Sequence, residues 1–284
     1  MINIMLAANI RDEKNMREWI VHHCALGFSH LLLFDHQSHV PLTTWVTREQ
    51  FPQVQVLRIE KPTIRKKDLM TRALQMAKKK EIEWLLYLDA DEFLVLPQHP
   101  DVSSFLASYS STVHQIGIHW LLFGSNGHDD DPLVGTILEN FTRREEKLSP
   151  IIKAFVRCQW ATRAENPHVW DTDNLVDVDG ISKNNGKGGG RERICTVMCP
   201  SMTRALIAHY SHQSYETYRR RKLERVRDDT GAFRDPIPRD QFHKKWNVVE
   251  DTTIRDRYNE RNKLEMSRKV DTDEGSPRSV EDRD

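Results

Sequence analysis

Residues 83–97 read EWLLYLDADEFLVLP. An apolar run from Trp84 to Leu88 stops at Asp89, acidic residues return at Asp91 and Glu92, and apolar residues resume at Phe93. The run reads as a short buried strand, the kind that parallel sheets use. Carboxylates are seldom buried unless they are paired or coordinate something, so three at the end of such a strand repel one another unless a cation is present.

Working back toward the amino terminus, INIMLAA (2–8) and HLLLFD (30–35) are two more apolar runs bounded by polar residues. Between them, RDEKNMREWIVHHCALGF places Met16, Trp19, Ile20, His23 and Leu26 on one helical face, and Gly27 supplies the stop. VQVLRIE (54–60) adds a third strand and KKDLMTRALQMAKKK (66–80) a second amphipathic helix before the run at Trp84. The order strand, helix, strand, strand, helix, strand predicts an α/β fold, a mostly parallel central sheet flanked by helices on both faces. Ligands of such sheets sit beyond the carboxyl ends of the strands, where Asp35 and Asp89 fall.

After residue 97 the periodicity loosens. VSSFLASY (102–109) reads as a helix, VHQIGIHWLLF (113–123) as an extended strand, GSNGHDDDP (124–132) as a turn-rich loop, and IIKAFVRCQWATR (151–163) as a further strand. Residues 171–193 are polar and glycine-rich and predict a mobile loop, SYETYRRRKLERVR (214–227) predicts a charged helix, and residues 265–284 lack the apolar content to order. The expected organisation is a single domain over 1–264, in two parts over 1–97 and 98–264, followed by a disordered tail.

The chain has 284 residues, enough for one large α/β domain, and 42 basic residues balance 42 acidic ones. That balance gives no global attraction to nucleic acid or to an anionic membrane. Cys24, Cys158, Cys195 and Cys199 are too scattered for a disulfide scaffold, and the Cys195/Cys199 spacing lacks a second pair to complete a zinc site. The amino terminus has no basic residue ahead of its apolar run and no stretch is long enough to span a bilayer. The expectation is a cytoplasmic protein, at most peripheral to a membrane.

In extended geometry Asp89 and Asp91 point the same way, so both could reach one ion. Oxygen ligands with open positions suit Mg²⁺ or Mn²⁺ bound to a diphosphate. The bland alternative is a solvated acidic turn or a helix cap.

Seven stretches in order, IRDEKNMREWIVHHCALGFSHLLLFDHQS, WLLYLDADEFLVLP, HWLLFGSNGH, IIKAF, NPHVW, AHYSHQSYETY and WNVVEDTTIRDRY, resemble glycosyltransferases of the GT-A type, in particular family 2-like and family 92-like proteins. The likeness covers roughly residues 3–258 and implies a nucleotide-sugar donor, expected to be a uridine diphosphate sugar, lying across the strand ends. It implies a divalent cation, Mn²⁺ or Mg²⁺, on Asp89 and Asp91, with His209 of LIAHY as a further ligand. It also implies a nucleotide-binding part over 1–97 and an acceptor part over 98–264, with nucleoside contacts from NIRDE and DHQS for which Asp12, Glu13, Asp35 and Ser38 are candidates. For Asp12 and Glu13, placement near a helix amino terminus explains the charge equally well.

FGSNGHDDDP is the expected acceptor-side loop, and His128, Asp129, Asp130 and Asp131 are candidates for the base that activates an acceptor hydroxyl. Gln213 stands where relatives commonly carry lysine, so Lys222, Lys187 or Arg191 are candidate substitutes for neutralising the diphosphate. The most economical reading is a metal-dependent, inverting glycosyltransferase acting on a glycan, lipid or protein acceptor, with the compartment of a bacterial or viral cytosolic enzyme. Its rivals are a nucleotidyltransferase, for which no P-loop is present, and an inactive sugar-binding relative.

Overall fold

A computed structural model describes residues 2–61, 63–182, 201–224 and 232–260. Cys195, Cys199, Lys187, Arg191 and the tail from residue 265 lie outside the described residues.

Strand alternation divides the core into two layers. In β1 (Ile4–Ile10), Ile4, Leu6, Ala8 and Ile10 join one apolar cluster while Met5 and Ala7 join the other. β4 (Trp84–Asp89) does the same, with Trp84, Leu86 and Leu88 on the first face and Leu85 and Tyr87 on the second. A strand that buries both faces needs no polar alternation, which is why these runs are continuous in sequence.

α1 (Met16–Ala25) covers the first face with Met16, Trp19 and Ile20, and all five residues expected on its apolar stripe are buried. Gly27 follows with φ +87°, the left-handed conformation that ends a helix at little cost only for glycine. α2 (Lys66–Lys79) covers the second face through Leu69, Met70, Ala73, Leu74 and Ala77. α3 (Val102–Ala107), capped by the Asp101 carboxylate accepting from the Ser104 N–H at 2.7 Å, packs on the α1 side.

β3 (Val54–Ile59), β2 (His30–His36), β1 and β4 lie side by side in that order, all parallel. The register sets Ile10 opposite Asp35 and Asn9 opposite Asp89, so the carboxyl ends of β2, β1 and β4 are level.

Beyond β4 the sheet is mixed rather than parallel. β8 (Ile152–Arg157) runs antiparallel to β4 and to β6 (Gln115–Leu122). β10 (Leu206–His209) is parallel to β6, and β5 (Glu92–Val95) closes the path antiparallel to β10. The expected loop over 171–193 is partly strand, since β9 (Leu175–Asp177) pairs with β6. The α/β class and the helix-flanked, mostly parallel sheet stand as expected, and the antiparallel pairs of this sheet are those made by β8 and β5.

The second half adds short elements: α4 (Ile137–Asn140), β7 (Arg143–Arg144), α5 (Tyr215–Tyr218), α6 (Arg239–Lys244) and β11 (Val249–Glu250), which pairs with β7. The expected charged helix is α5 followed by a π-helical turn, Arg219–Leu223. Among the described residues no helix is long and apolar enough to cross a membrane.

Candidate active site

The acidic stretch after β4 is a tight turn. β4 ends at Asp89, β5 begins at Glu92, and Ala90 and Asp91 make the bend between them. The buried Glu92 carboxylate closes the bend by accepting the Asp89 N–H at 2.8 Å. The turn breaks the extended geometry on which a shared orientation of Asp89 and Asp91 depends, and the two carboxylates take different partners.

Asp89 meets two lysines. Lys66, the first residue of α2, donates to Oδ1 at 2.6 Å, and Lys153, the second residue of β8, donates to Oδ2 at 3.1 Å. Lys153 is 1% exposed, and its ammonium also stands 3.6 Å from Glu92 Oε2 and 3.4 Å from the Pro167 carbonyl. Burial works against the charged form of Asp89, but Lys153 and Lys66 outweigh it and hold the carboxyl far below its usual range. Glu92 goes the other way: burial raises its pKa, with Lys153 only partly offsetting.

Asp91 is brought to His209 by strand pairing. His209 lies opposite Glu92 in the antiparallel β10–β5 ladder, and the next residue, Tyr210, donates its N–H to the Asp91 carbonyl at 2.9 Å. His209 Nε2 thereby stands 3.7 Å from Asp91 Oδ1, its ring packed 4.3 Å from Trp120. The other Asp91 oxygen pairs with Arg221 at 3.0 Å, and the same guanidinium reaches Glu13 at 3.1 Å. Burial opposes the charged form of Asp91, yet Arg221 and His209 keep it well below its ordinary value. Lys222, on the same π-helical turn, feels Asp91 and Asp89, while burial and Arg221 lower its pKa.

Beside this cluster a cavity of about 450 Å³ opens between the loops after β1 and β2. Asp12, Glu13, Lys14 and Ser38 line it together with the apolar Ile10 and Trp45. Asp12 has φ +54° and grips the opposite loop, accepting from the His39 N–H at 2.8 Å while its own N–H donates to Ser38 Oγ at 3.1 Å. Asp35 is not among the lining residues. Its fully buried carboxylate accepts from the Ser38 and Leu42 N–H groups and from Arg58, which shapes the loop rather than presenting a free acceptor.

The loop expected to face the acceptor is largely a docking surface for the segment around α6. Ser125 bonds His243 at 2.9 Å, the Asn126 N–H donates to Asn247 Oδ1 at 2.9 Å, and Asp129 pairs with Arg239 and His243. Arg239 and His243 hold the Asp129 carboxyl below its usual range. Asp131 is likewise engaged, by Lys14, by the Ser214 hydroxyl that caps α5, and by Thr217 at 2.6 Å. Of the four base candidates, Asp130 is exposed and the His128 ring stands edge-on to Phe141.

Among the described residues no group of three or more His, Cys, Asp or Glu side chains is placed to hold a metal ion by itself. Asp91 and His209 do fit as a pair. Their 3.7 Å separation exceeds a hydrogen bond, and ions such as Mg²⁺ are commonly held by one or two protein ligands with phosphate oxygens and water completing the shell. Asp89 does not join that pair, because both its oxygens face lysines.

No protein-family model matches the chain. Over 223 residues, 74% of the chain, it is 24% identical to a glycosyltransferase family 92 protein of Ricinus communis. The chain resembles glycosyltransferase family 92. It spans 35% of that relative's length. Looser likenesses among solved structures include S. aureus TarS 1–349 in complex with UDP, at 15% identity and a TM-score of 0.37, covering 55% of this chain and 47% of that one. Another is a cytidylyltransferase from Leptospira borgpetersenii, at 14% identity and a TM-score of 0.27, covering 56% of this chain and 60% of that one.

Stretches that carry the family 92 resemblance converge here: Asp89, Asp91 and Glu92 from one, Lys153 from IIKAF, His168 from NPHVW, His209 from AHYSH. The sequence reading singled out neither Lys66 nor Lys153, and placed Arg221 only within a charged helix. A lone lysine inside an apolar strand, as in IIKAF, was the one available signal, since lysine is almost never fully buried without a partner.

Proposed function

We propose that the chain is a glycosyltransferase that moves a sugar from a nucleoside diphosphate sugar, with uridine diphosphate sugars first in line, to an acceptor hydroxyl with inversion. One observation carries this reading: Asp91 and His209 stand together at the level carboxyl ends of the parallel strands, beside a cavity sized for a nucleoside. The likeness to a family 92 protein over 74% of the chain supports it.

Asp12, Glu13 and Ser38 hold the nucleoside in the cavity, with Trp45 as an apolar wall. Charge accumulates on the diphosphate as the bond to the sugar breaks, and fixed cations at that point stabilise the transition state. Arg221 and Lys222, beside Asp91, are those cations. Mn²⁺ or Mg²⁺ held by Asp91 and His209 would supply Lewis acidity to the same diphosphate. Asp130 or His128 takes the proton from the acceptor hydroxyl, since Asp129 and Asp131 are committed to Arg239 and to the α5 cap. The acceptor is a hydroxyl of a glycan, lipid or protein.

The test is a panel of nucleotide-sugars incubated with the protein, with and without Mn²⁺. Release of free nucleoside diphosphate that depends on added metal supports the reading; release of pyrophosphate, or donor binding without turnover, overturns it.

A further inference from the structure

Among the described residues four cations surround the two aspartates, and they differ in what they could reach. Lys153 is sealed under the site at 1% exposure, held by Asp89, Glu92 and the Pro167 carbonyl. Arg221 is 14% exposed and ties the buried Asp91 to the partly buried Glu13, so moving it would leave both acids without their guanidinium. Lys222 shares the π-helical turn with Arg221. Lys66 is different: it is 23% exposed, and its hydrogen bond is to Asp89 Oδ1, a carboxylate that keeps Lys153 on its other oxygen.

Removing Lys66 from Asp89 therefore leaves no buried charge unpaired. The neighbouring Arg65 is committed to Asp68 with two hydrogen bonds, whereas Lys66, in the amino-terminal turn of α2, reaches the strand ends at Asp89. That turn also carries the positive end of a 14-residue helix, so a phosphate near Lys66 meets both the ammonium and the helix dipole.

We propose that Lys66 is a donor-contacting residue that exchanges Asp89 for a phosphate of the nucleoside diphosphate. This rests on the glycosyltransferase reading and sharpens it by separating the roles of the two aspartates. When Lys66 turns to the phosphate, Asp89 Oδ1 becomes free to accept a hydrogen bond from a donor hydroxyl while Oδ2 stays on Lys153. One charge-assisted contact is replaced by two, and neither the carboxylate nor the ammonium is stranded.

The experiment measures binding of uridine, UMP and UDP to the full chain and to Lys66→Gln and Lys66→Arg by calorimetry in the presence of Mn²⁺, with melting temperatures as a folding control. Lys66→Gln is expected to leave uridine affinity unchanged and to weaken UDP about tenfold, the loss of one charge-assisted hydrogen bond, with Lys66→Arg restoring most of it. Equal loss for uridine and UDP, or no loss for UDP in a folded Lys66→Gln protein, overturns the exchange. Wild-type protein that binds no nucleoside diphosphate (UDP, CDP, GDP or ADP tested) overturns the donor reading along with it, an outcome distinct from a variant that binds UDP as well as wild type.

Discussion

His209 Nε2 stands 3.7 Å from Asp91 Oδ1, although the two residues are 118 positions apart, because the antiparallel ladder sets His209 against Glu92 and the Tyr210 N–H against the Asp91 carbonyl. Backbone register, rather than any side-chain bond between them, fixes the pair. The placement of each residue therefore holds when the other's side chain is replaced.

His209→Ala should consequently fold normally and change metal response. If Asp91 and His209 share an ion, loss of one of two protein ligands moves the midpoint of a Mn²⁺ titration of UDP binding upward by roughly tenfold or more. An unchanged midpoint removes His209 from the metal site.

Lys153→Met should be among the most damaging single changes in the chain. Among the described residues it leaves Asp89 paired with Lys66 and Glu92 without an ammonium partner, and breaking a buried pair by removing one partner costs about 3–5 kcal/mol. Adding Glu92→Gln should recover part of the loss, because the stranded acid is gone. Urea denaturation of the single and double variants checks both, and additive losses would show that the two groups are not coupled.

Gly124→Ala probes the docking of the α6 segment. A methyl group there would collide with the Asn247 side chain and come within 2.7 Å of the Trp246 carbonyl. Overpacking of this kind costs about 1–3 kcal/mol, and it should appear as faster proteolysis within 232–250 before any loss of global structure. Resistance equal to wild type would show that the segment is held elsewhere.

Glu18 gives the fold a pH dependence near neutrality. This α1 residue accepts the Ile137 and Leu138 N–H groups at 2.9 and 3.2 Å, and burial pushes its pKa up from 4.5 to about 7. The folded state then binds a proton more readily than the unfolded chain. Its contribution is fully present below pH about 4.5 and is lost as pH rises toward about 7. Glu18→Gln should flatten the melting temperature between those limits; an unchanged slope would assign the effect to another group.

Much of the first half was legible because its signals are local. The stripe Met16, Trp19, Ile20, His23, Leu26, the stop at Gly27 and the two-sided apolar runs each follow from a helical or strand period within about ten residues. β5 and β10, four residues each, carry too little pattern to separate from their surroundings, and β9 lay inside a stretch whose composition reads as loop. Glycine and polar content report average solvation, and a three-residue strand paired with β6 barely alters that average.

The sequence by itself determined that acidic residues would cluster where parallel strands end, since strand order and the position of Asp35 and Asp89 within their runs are local properties. Tertiary structure decided which of those acids are free and which are spent. Asp35 is spent on its own loop, Asp129 on Arg239 and Asp131 on the α5 cap, while Asp89 is divided between Lys66 and Lys153. Each partner lies between 3 and about 110 residues away, and a carboxylate's role depends on which charges surround it in space. That arrangement comes from sheet register and helix packing, which no local period encodes.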